Sequence, residues 1–213
     1  MFHQLLTAAM ILTSVQPVTA TAAAAAGTTY YVDAAAGDDA ASGLDQAHPW
    51  KSLDKVNDTT FRPGDRILLR AGQRWTGRLW PKGSGESGAP ITVDSYGEGG
   101  KPRIDGAAQV GDAVRLFNQE FWTIRNLEVT NQVPPTGTPG ENLRDLRGIH
   151  VSGDNSQTLD GFVIDGVAVH DVTGQVNWIS GSTDGNAPGV RFKTGWDGCC
   201  ASSRSVTPWS GTT

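Results

Sequence analysis

Three basic residues recur at matching places in three short strand-like segments: Arg115, His150 and Arg191. Each lies between two apolar residues, in the pairs Val114 and Leu116, Ile149 and Val151, and Val190 and Phe192. Because alternate side chains of a strand point to opposite faces, we expect the basic side chains to point outward and to stack about 4.8 Å apart. Stacked like charges repel unless an anion neutralises them. The pattern predicts a binding column for carboxylates; the alternative is a solvated face whose charges pair with Asp or Glu from loops.

Arg191 and Lys193 have the chemistry needed to remove a proton next to a carboxylate. In such a step a base takes the proton, and a cation neutralises the carboxylate as negative charge builds up on it. We therefore identify Arg191 and Lys193 as candidate catalytic residues. Arg115 and His150 are candidate substrate-binding residues together with Arg191.

Two tryptophans, Trp75 and Trp80, flank Gly77 in a basic segment and are further substrate-binding candidates. Exposed aromatic rings stack on sugar rings, but a tryptophan equally well packs under a loop. His170 and Asp171 follow a strand and are expected to have a structural role. The outward acidic residues Glu128 and Asp165 belong to different strands, so they do not form an evident catalytic pair.

An acidic loop near the start of the chain contains Asp33, Asp38, Asp39 and Asp45. Carboxylate oxygens are ligands for Ca²⁺, but this spacing matches no EF-hand loop. Asp and Gly are also common in turns, which is the simpler interpretation. The residues alone leave the metal unknown.

The elements that position these residues are indicated by an internal repeat. Residues 122–131 and 162–171 match at an offset of 40, with apolar residues at the same places in both copies. Each copy has two short strands separated by a tight bend at Asn126 or Gly166. A phased repeat of short strands is typical of a solenoid. We therefore predict an all-β fold, with apolar spacing at 50, 53 and 56 indicating one short helix.

Several segments resemble a known family. They are 30–33 (Tyr-Tyr-Val-Asp), 37–38 (Gly-Asp), 49–53 (Pro-Trp-Lys-Ser-Leu) and 63–72, which opens with Pro-Gly-Asp. They resemble the N-terminal portion of the secreted right-handed parallel β-helix proteins of the pectate-lyase-like superfold. Within that superfold the polysaccharide lyases, which act on pectate, alginate or chondroitin-type chains, are the most similar.

This resemblance implies a right-handed parallel β-helix with a short capping helix at residues 50–57. It also implies β-elimination of an acidic polysaccharide, with Ca²⁺ as a candidate cofactor and catalytic residues in later coils. The C-terminal coils are apparently missing, which leaves open whether this chain alone is active. The alternatives are a glycoside hydrolase on the same superfold, or a non-catalytic carbohydrate-binding or surface protein.

The chain is predicted to have three parts: a signal peptide at 1–26, an incomplete β-helix domain at 27–197 and an irregular tail at 198–213. Residues 5–15 are apolar and are followed by small residues that suit cleavage, so we expect a secreted protein. The net charge of -5 indicates no general affinity for nucleic acid. No apolar run in the mature region is long enough to span a membrane, and we expect a monomer where the last coil is capped.

Overall fold

Parallel β-strands make up nearly all the regular structure of the residues that the structure describes. A computed structural model describes residues 27–134, 146–154, 158–173 and 190–193. Its strands are β1 (Thr29–Val32), β2 (Arg66–Arg70), β3 (Arg74–Thr76), β4 (Ile91–Tyr96), β5 (Arg103–Asp105), β6 (Asp112–Phe117), β7 (Trp122–Arg125), β8 (Glu128–Asn131), β9 (Arg147–Ser152), β10 (Val163–Asp165), β11 (Ala168–Val172) and β12 (Val190–Lys193). The predicted signal peptide and the predicted tail lie outside the described residues.

The strands form three parallel sheets. The first has the order β1-β2-β4-β7-β10, the second β11-β8-β5-β3 and the third β12-β9-β6. Apart from β1 and β2, neighbouring strands in a sheet are not consecutive in the chain, because the chain visits the sheets in turn and returns to add the next strand. Residues from distant parts of the sequence are therefore placed side by side on each sheet.

The core lies between the sheets and is built from alternate residues of each strand. Val114, Leu116, Ile149 and Val151 are each at most 4% exposed, which confirms the inward positions predicted from the sequence. Trp122 is fully buried, and its indole N–H donates to the Gly83 carbonyl at 3.0 Å. Burial of large apolar side chains is the main favourable contribution to the stability of such a fold.

The predicted fold class, a regular right-handed parallel β-helix of the pectate-lyase type, is wrong. A regular solenoid requires a nearly constant repeat length. The distance in sequence between paired residues along the first sheet is instead 37, 26, 31 and 40 residues, for the pairs Thr29 and Arg66, Arg66 and Thr92, Ile91 and Trp122, and Thr123 and Val163. The offset of 40 therefore describes the last pair of strands and does not extend along the sheet. The fold is better described as three parallel sheets with almost no helix.

One short helix, α1 (Leu53–Asp58), packs against the core. It begins after Ser52, whose hydroxyl oxygen accepts a hydrogen bond from the backbone N–H of Lys55 at 3.1 Å. Leu53 and Val56 are buried on its inner side. The helix is thus shorter than the predicted range of 50–57, because Trp50 forms a bridge with Val32 and belongs to the extended chain before the cap.

Asparagine and glycine residues form the corners between the sheets. Asn126 has a φ of 53° and Gly166 a φ of 62°, which are left-handed conformations at the bends that the repeat predicted. Asn131 is fully buried; its amide donates to the carbonyls of Val110 and Arg147, at 2.9 and 3.1 Å, and so joins the second sheet to the third.

Among the described residues, no helix has the length and hydropathy needed to cross a membrane.

Candidate functional site

The third sheet brings the predicted basic column together. Arg115 of β6 is paired in register with His150 of β9, and His150 with Arg191 of β12. Lys193 lies opposite Ser152 at the end of β12. The backbone register therefore places Arg115, His150 and Arg191 on three neighbouring strands.

A buried carboxylate lies against this column. Asp112, at the start of β6, is 2% exposed. Its Oδ1 is 2.9 Å from Nη1 of Arg147 and 3.0 Å from Nδ1 of His150, and its Oδ2 is 3.6 Å from Nη1 of Arg115. The sequence reasoning missed Asp112, although a charged residue at the start of an apolar strand is a detectable signal.

The contacts of Asp112 set its protonation state. Burial alone would raise the pKa of this carboxyl, but the hydrogen bonds from His150 and Arg147 outweigh it and lower the pKa to about 2. Asp112 is thus ionised at neutral pH and offsets part of the positive charge around it. These contacts agree with the alternative interpretation of the column, in which the basic residues pair with an acidic residue of the protein.

The two candidate tryptophans are placed very differently. Trp75 is 5% exposed and its indole N–H donates to the Lys51 carbonyl at 2.9 Å, so its ring is part of the core. Trp80 is half-buried, and the guanidinium of Arg115 lies 5.1 Å from the centre of its ring. Trp80 therefore joins the cluster around Asp112, with its face covered by a cation.

The carboxylates of the acidic loop are used by the backbone. Asp33 accepts hydrogen bonds from the N–H groups of Ala35 and Ala36. Asp38, Asp39 and Asp45 likewise accept from backbone N–H groups close to the loop. Within the described ranges, no group of three or more His, Cys, Asp or Glu residues is arranged to hold a metal ion. These carboxylates therefore stabilise turns.

A pocket of about 280 Å³ lies on the outer face of the second sheet. The residues that line it come from the four neighbouring strands β3, β5, β8 and β11 and from nearby loops: Arg74, Arg103, Asp105, Ala107, Thr130, Gln132, Pro134 and Asp171. The sequence reasoning proposed none of them as a site residue. Apolar Trp75, Ile104 and Val129 pair in register and leave polar neighbours on the other face, but the sequence does not reveal this register.

Ion pairs line this pocket. Arg74 pairs with Asp105, and Nη2 of Arg103 is 2.5 Å from Oε1 of Glu128. The arginines are partly exposed, whereas Asp105 is 7% exposed and lies deeper. The pocket therefore has charged groups of both signs held in fixed directions.

His170 connects two carboxylates at one side of the pocket. Its Nε2 is 2.9 Å from Oε1 of Glu128, and its Nδ1 is 2.9 Å from Oδ2 of Asp171. The hydrogen bond with Asp171 raises the pKa of His170; burial opposes this effect, and the hydrogen bond with Glu128 adds to it. Burial would raise the pKa of Glu128, but Arg103 and His170 lower it. His170 and Asp171, which the sequence predicted to be structural, thus form a charged network with Glu128 beside the pocket.

Comparison with known proteins identifies relatives of a different kind from those expected. No protein-family model matches the chain. The chain is 31% identical over 189 residues to a lacto-N-biosidase of Bifidobacterium longum subsp. longum, and the match covers 67% of this chain and 12% of that protein. The crystal structure of a GH136 lacto-N-biosidase from Eubacterium ramulus is similar, with a TM-score of 0.67 and 28% identity over 78% of this chain and 30% of that one. The chain thus spans less than a third of the length of either relative.

These relatives overturn the pectate-lyase-like resemblance and the polysaccharide-lyase function that it implied. Both relatives are named as lacto-N-biosidases, and the solved one is a GH136 glycoside hydrolase. An alginate lyase from Paenibacillus has a TM-score of only 0.35 at 16% identity, which is too low to support a lyase. The short motifs at 30–33, 49–53 and 63–72 are therefore insufficient to identify a lyase. The glycoside hydrolase alternative is the better supported one.

Proposed function

We propose that this chain is part of a carbohydrate-acting glycoside hydrolase of the GH136 lacto-N-biosidase type. The observation that carries the proposal is the match to the Eubacterium ramulus enzyme, because 28% identity and a TM-score of 0.67 extend over 78% of this chain. The match to the Bifidobacterium longum enzyme, at 31% identity, supports it independently of the structure. The reaction is the hydrolysis of a glycosidic bond that releases a disaccharide.

Hydrolysis of a glycosidic bond ordinarily needs two carboxyl groups, one of which is a general acid with a raised pKa. Asp105, Glu128 and Asp171 are the carboxylates at the pocket on the second sheet or beside it. The pKa of Glu128 is lowered, so this residue suits hydrogen bonding to a sugar hydroxyl better than proton donation.

The ligand class that these groups favour is an uncharged glycan. An acidic polysaccharide was expected because Arg115, His150 and Arg191 form a basic column. Asp112 already supplies one negative charge to this column, with its Oδ1 3.0 Å from Nδ1 of His150. Asp112 offsets part of the positive charge of the column, which weakens the reason to expect an acidic partner.

A second candidate function is non-catalytic carbohydrate binding, which the hydrogen-bonding groups that line the pocket favour. The two candidates differ in whether a bond is broken. A single experiment separates them from each other and from the lyase.

The full chain is incubated with the p-nitrophenyl β-glycoside of lacto-N-biose, and in parallel with pectate and alginate. A glycoside hydrolase releases p-nitrophenol and the disaccharide from the first substrate, and yields no unsaturated uronate ends from the polymers. Binding of the disaccharide without release, measured by calorimetry, assigns the chain to the second candidate. Ultraviolet-absorbing unsaturated ends from either polymer contradict the proposal, as does the absence of both hydrolysis and binding.

We also propose that the protein is exported, on the basis of the apolar segment at 5–15 and the small residues that follow it. The intact mass of protein recovered from culture medium tests this proposal. Cleavage after Ala22 or Ala26 is the expected result, and retention of residue 1 in exported protein would contradict it.

A further inference from the structure

The pocket on the second sheet is shaped by an irregularity in the strand at its edge. Val169 pairs with Val129, but Val172 pairs with Asn131, so β11 has one residue more than β8 over this stretch. Such a β-bulge bends the strand and redirects a side chain. Here the extra residue places Asp171 in the lining of the pocket.

Asp171 adopts a conformation that few residues other than glycine adopt. Its φ is 49°, in the left-handed region, which costs free energy for a residue with a Cβ. A glycine would adopt it without strain, and the chain uses glycine at ten other positions with positive φ among the described residues. Asp171 thus carries a carboxylate at a position where the backbone conformation alone would favour glycine.

The charges around the pocket are balanced. Arg74 is paired with Asp105, Arg103 with Glu128, and Asp171 with His170. A ligand with a net charge would have to displace one partner of a pair, leaving the other uncompensated. An uncharged ligand with many hydroxyl groups can instead donate to the carboxylates and accept from the guanidinium groups while the pairs stay intact.

We propose that this pocket is a subsite for one uncharged sugar ring, in which Asp171, Gln132 and the Arg74–Asp105 pair form hydrogen bonds with its hydroxyl groups. The proposal rests on the proposed function in one respect, that the chain acts on carbohydrate. The volume of about 280 Å³ lies near the lower limit of small-molecule pockets, which fits a single ring and not a folded segment of polymer.

The test replaces Asp171 by glycine in the full chain. Asp171→Gly removes the carboxylate and also removes the strain at φ 49°, so the variant is expected to fold. The matched control is Asn118→Gly, which makes the same backbone exchange at φ 54°, outside the pocket lining. Binding of lacto-N-biose and of digalacturonate is measured for all three proteins by saturation-transfer NMR and calorimetry.

We expect lacto-N-biose to bind the wild-type chain and the Asn118→Gly variant alike, and the Asp171→Gly variant about tenfold more weakly, as for the loss of a hydrogen bond to a charged group. We expect digalacturonate to bind at least tenfold more weakly than the neutral disaccharide. Equal binding by the Asp171→Gly and wild-type proteins, or preferential binding of digalacturonate, would overturn the subsite.

The outcome is distinguishable from failure of the proposed function. Binding that depends on Asp171, without hydrolysis of the p-nitrophenyl glycoside, supports the subsite and contradicts the hydrolase. Hydrolysis that is unaffected by Asp171→Gly, with unchanged Michaelis constant, supports the hydrolase and contradicts the subsite.

Discussion

Replacement of Asp112 by asparagine tests the role of the buried charge cluster on the third sheet. The change keeps the size of the side chain and removes its negative charge. Arg147 and His150 are then left around a neutral group, at the places where they now lie 2.9 and 3.0 Å from a carboxylate. Because Asp112 is 2% exposed, water cannot replace the lost charge.

The expected loss of stability follows from the pKa of Asp112. Its fall from the ordinary 3.8 to about 2 corresponds to about 2.5 kcal/mol of the free energy of unfolding at neutral pH. For a chain of this length, a loss of that size lowers the melting temperature by about 5–10 °C. The matched control is Asp165→Asn, which removes an exposed carboxylate 3.5 Å from Arg125, and we expect a change below about 0.5 kcal/mol there.

The pH dependence gives this prediction a specific signature. Because the pKa of Asp112 is lower in the folded state than in the unfolded state, its stabilisation is complete above the unfolded value of 3.8 and is lost as the pH falls towards 2. The difference between wild type and Asp112→Asn in the free energy of unfolding should therefore shrink by about 1 kcal/mol between pH 7 and pH 3. Urea unfolding at both pH values measures it. A difference that stays constant over this range would refute the assignment of the lowered pKa to Asp112.

Three further predictions concern other parts of the described structure. The pKa of the His170 imidazole should lie above the ordinary 6.5. Its contribution to the free energy of unfolding should be complete below pH 6.5 and be lost as the pH rises through the raised pKa. An NMR titration, with His170→Asn to assign the signal, measures the pKa, and an unshifted value contradicts the prediction. Asn131→Ala should cost about 3 kcal/mol in urea unfolding, because two backbone carbonyls lose a buried donor, and a cost below about 1 kcal/mol would show that water replaces it. Gly166→Ala should cost about 1–2 kcal/mol, since φ is 62° and a Cβ would lie 2.7 Å from Oδ1 of Asn126; unchanged stability would indicate that this corner rearranges freely.

The strand alternation and the last repeat could be predicted from the sequence. The match of 122–131 with 162–171 is confirmed by the register as far as Val169, since Ile164 pairs with Ile124 and Val169 with Val129; beyond it the bulge shifts the pairing. Apolar residues at a spacing of two identify inward positions because burial favours them regardless of what surrounds the strand. The pattern therefore predicted the core positions Val114, Leu116, Ile149 and Val151 correctly.

The fold class and the pocket could not be predicted in this way. The strands β1, β2 and β4 have no repeat that reveals their spacing, since the connections between them differ in length and only the register shows which residues meet. The pocket depends on the bulge at Asp171, and one extra residue in a short strand leaves no mark on an apolar pattern. Asp112 similarly acquires its partners from β9, which lies about 35 residues later in the chain.

The unequal distances between paired strands have a consequence for evolution and engineering. Along the first sheet, paired residues of neighbouring strands are 26 positions apart in the sequence in one case and 40 in another. Ile67, Val93 and Ile124 nevertheless lie in register and are buried. Selection can thus lengthen or shorten a connection without disturbing the stacked interior, at an entropic cost that grows only slowly with length. Foreign segments grafted into such a connection should leave the sheets unchanged, so new recognition loops can be added to this scaffold independently of its core.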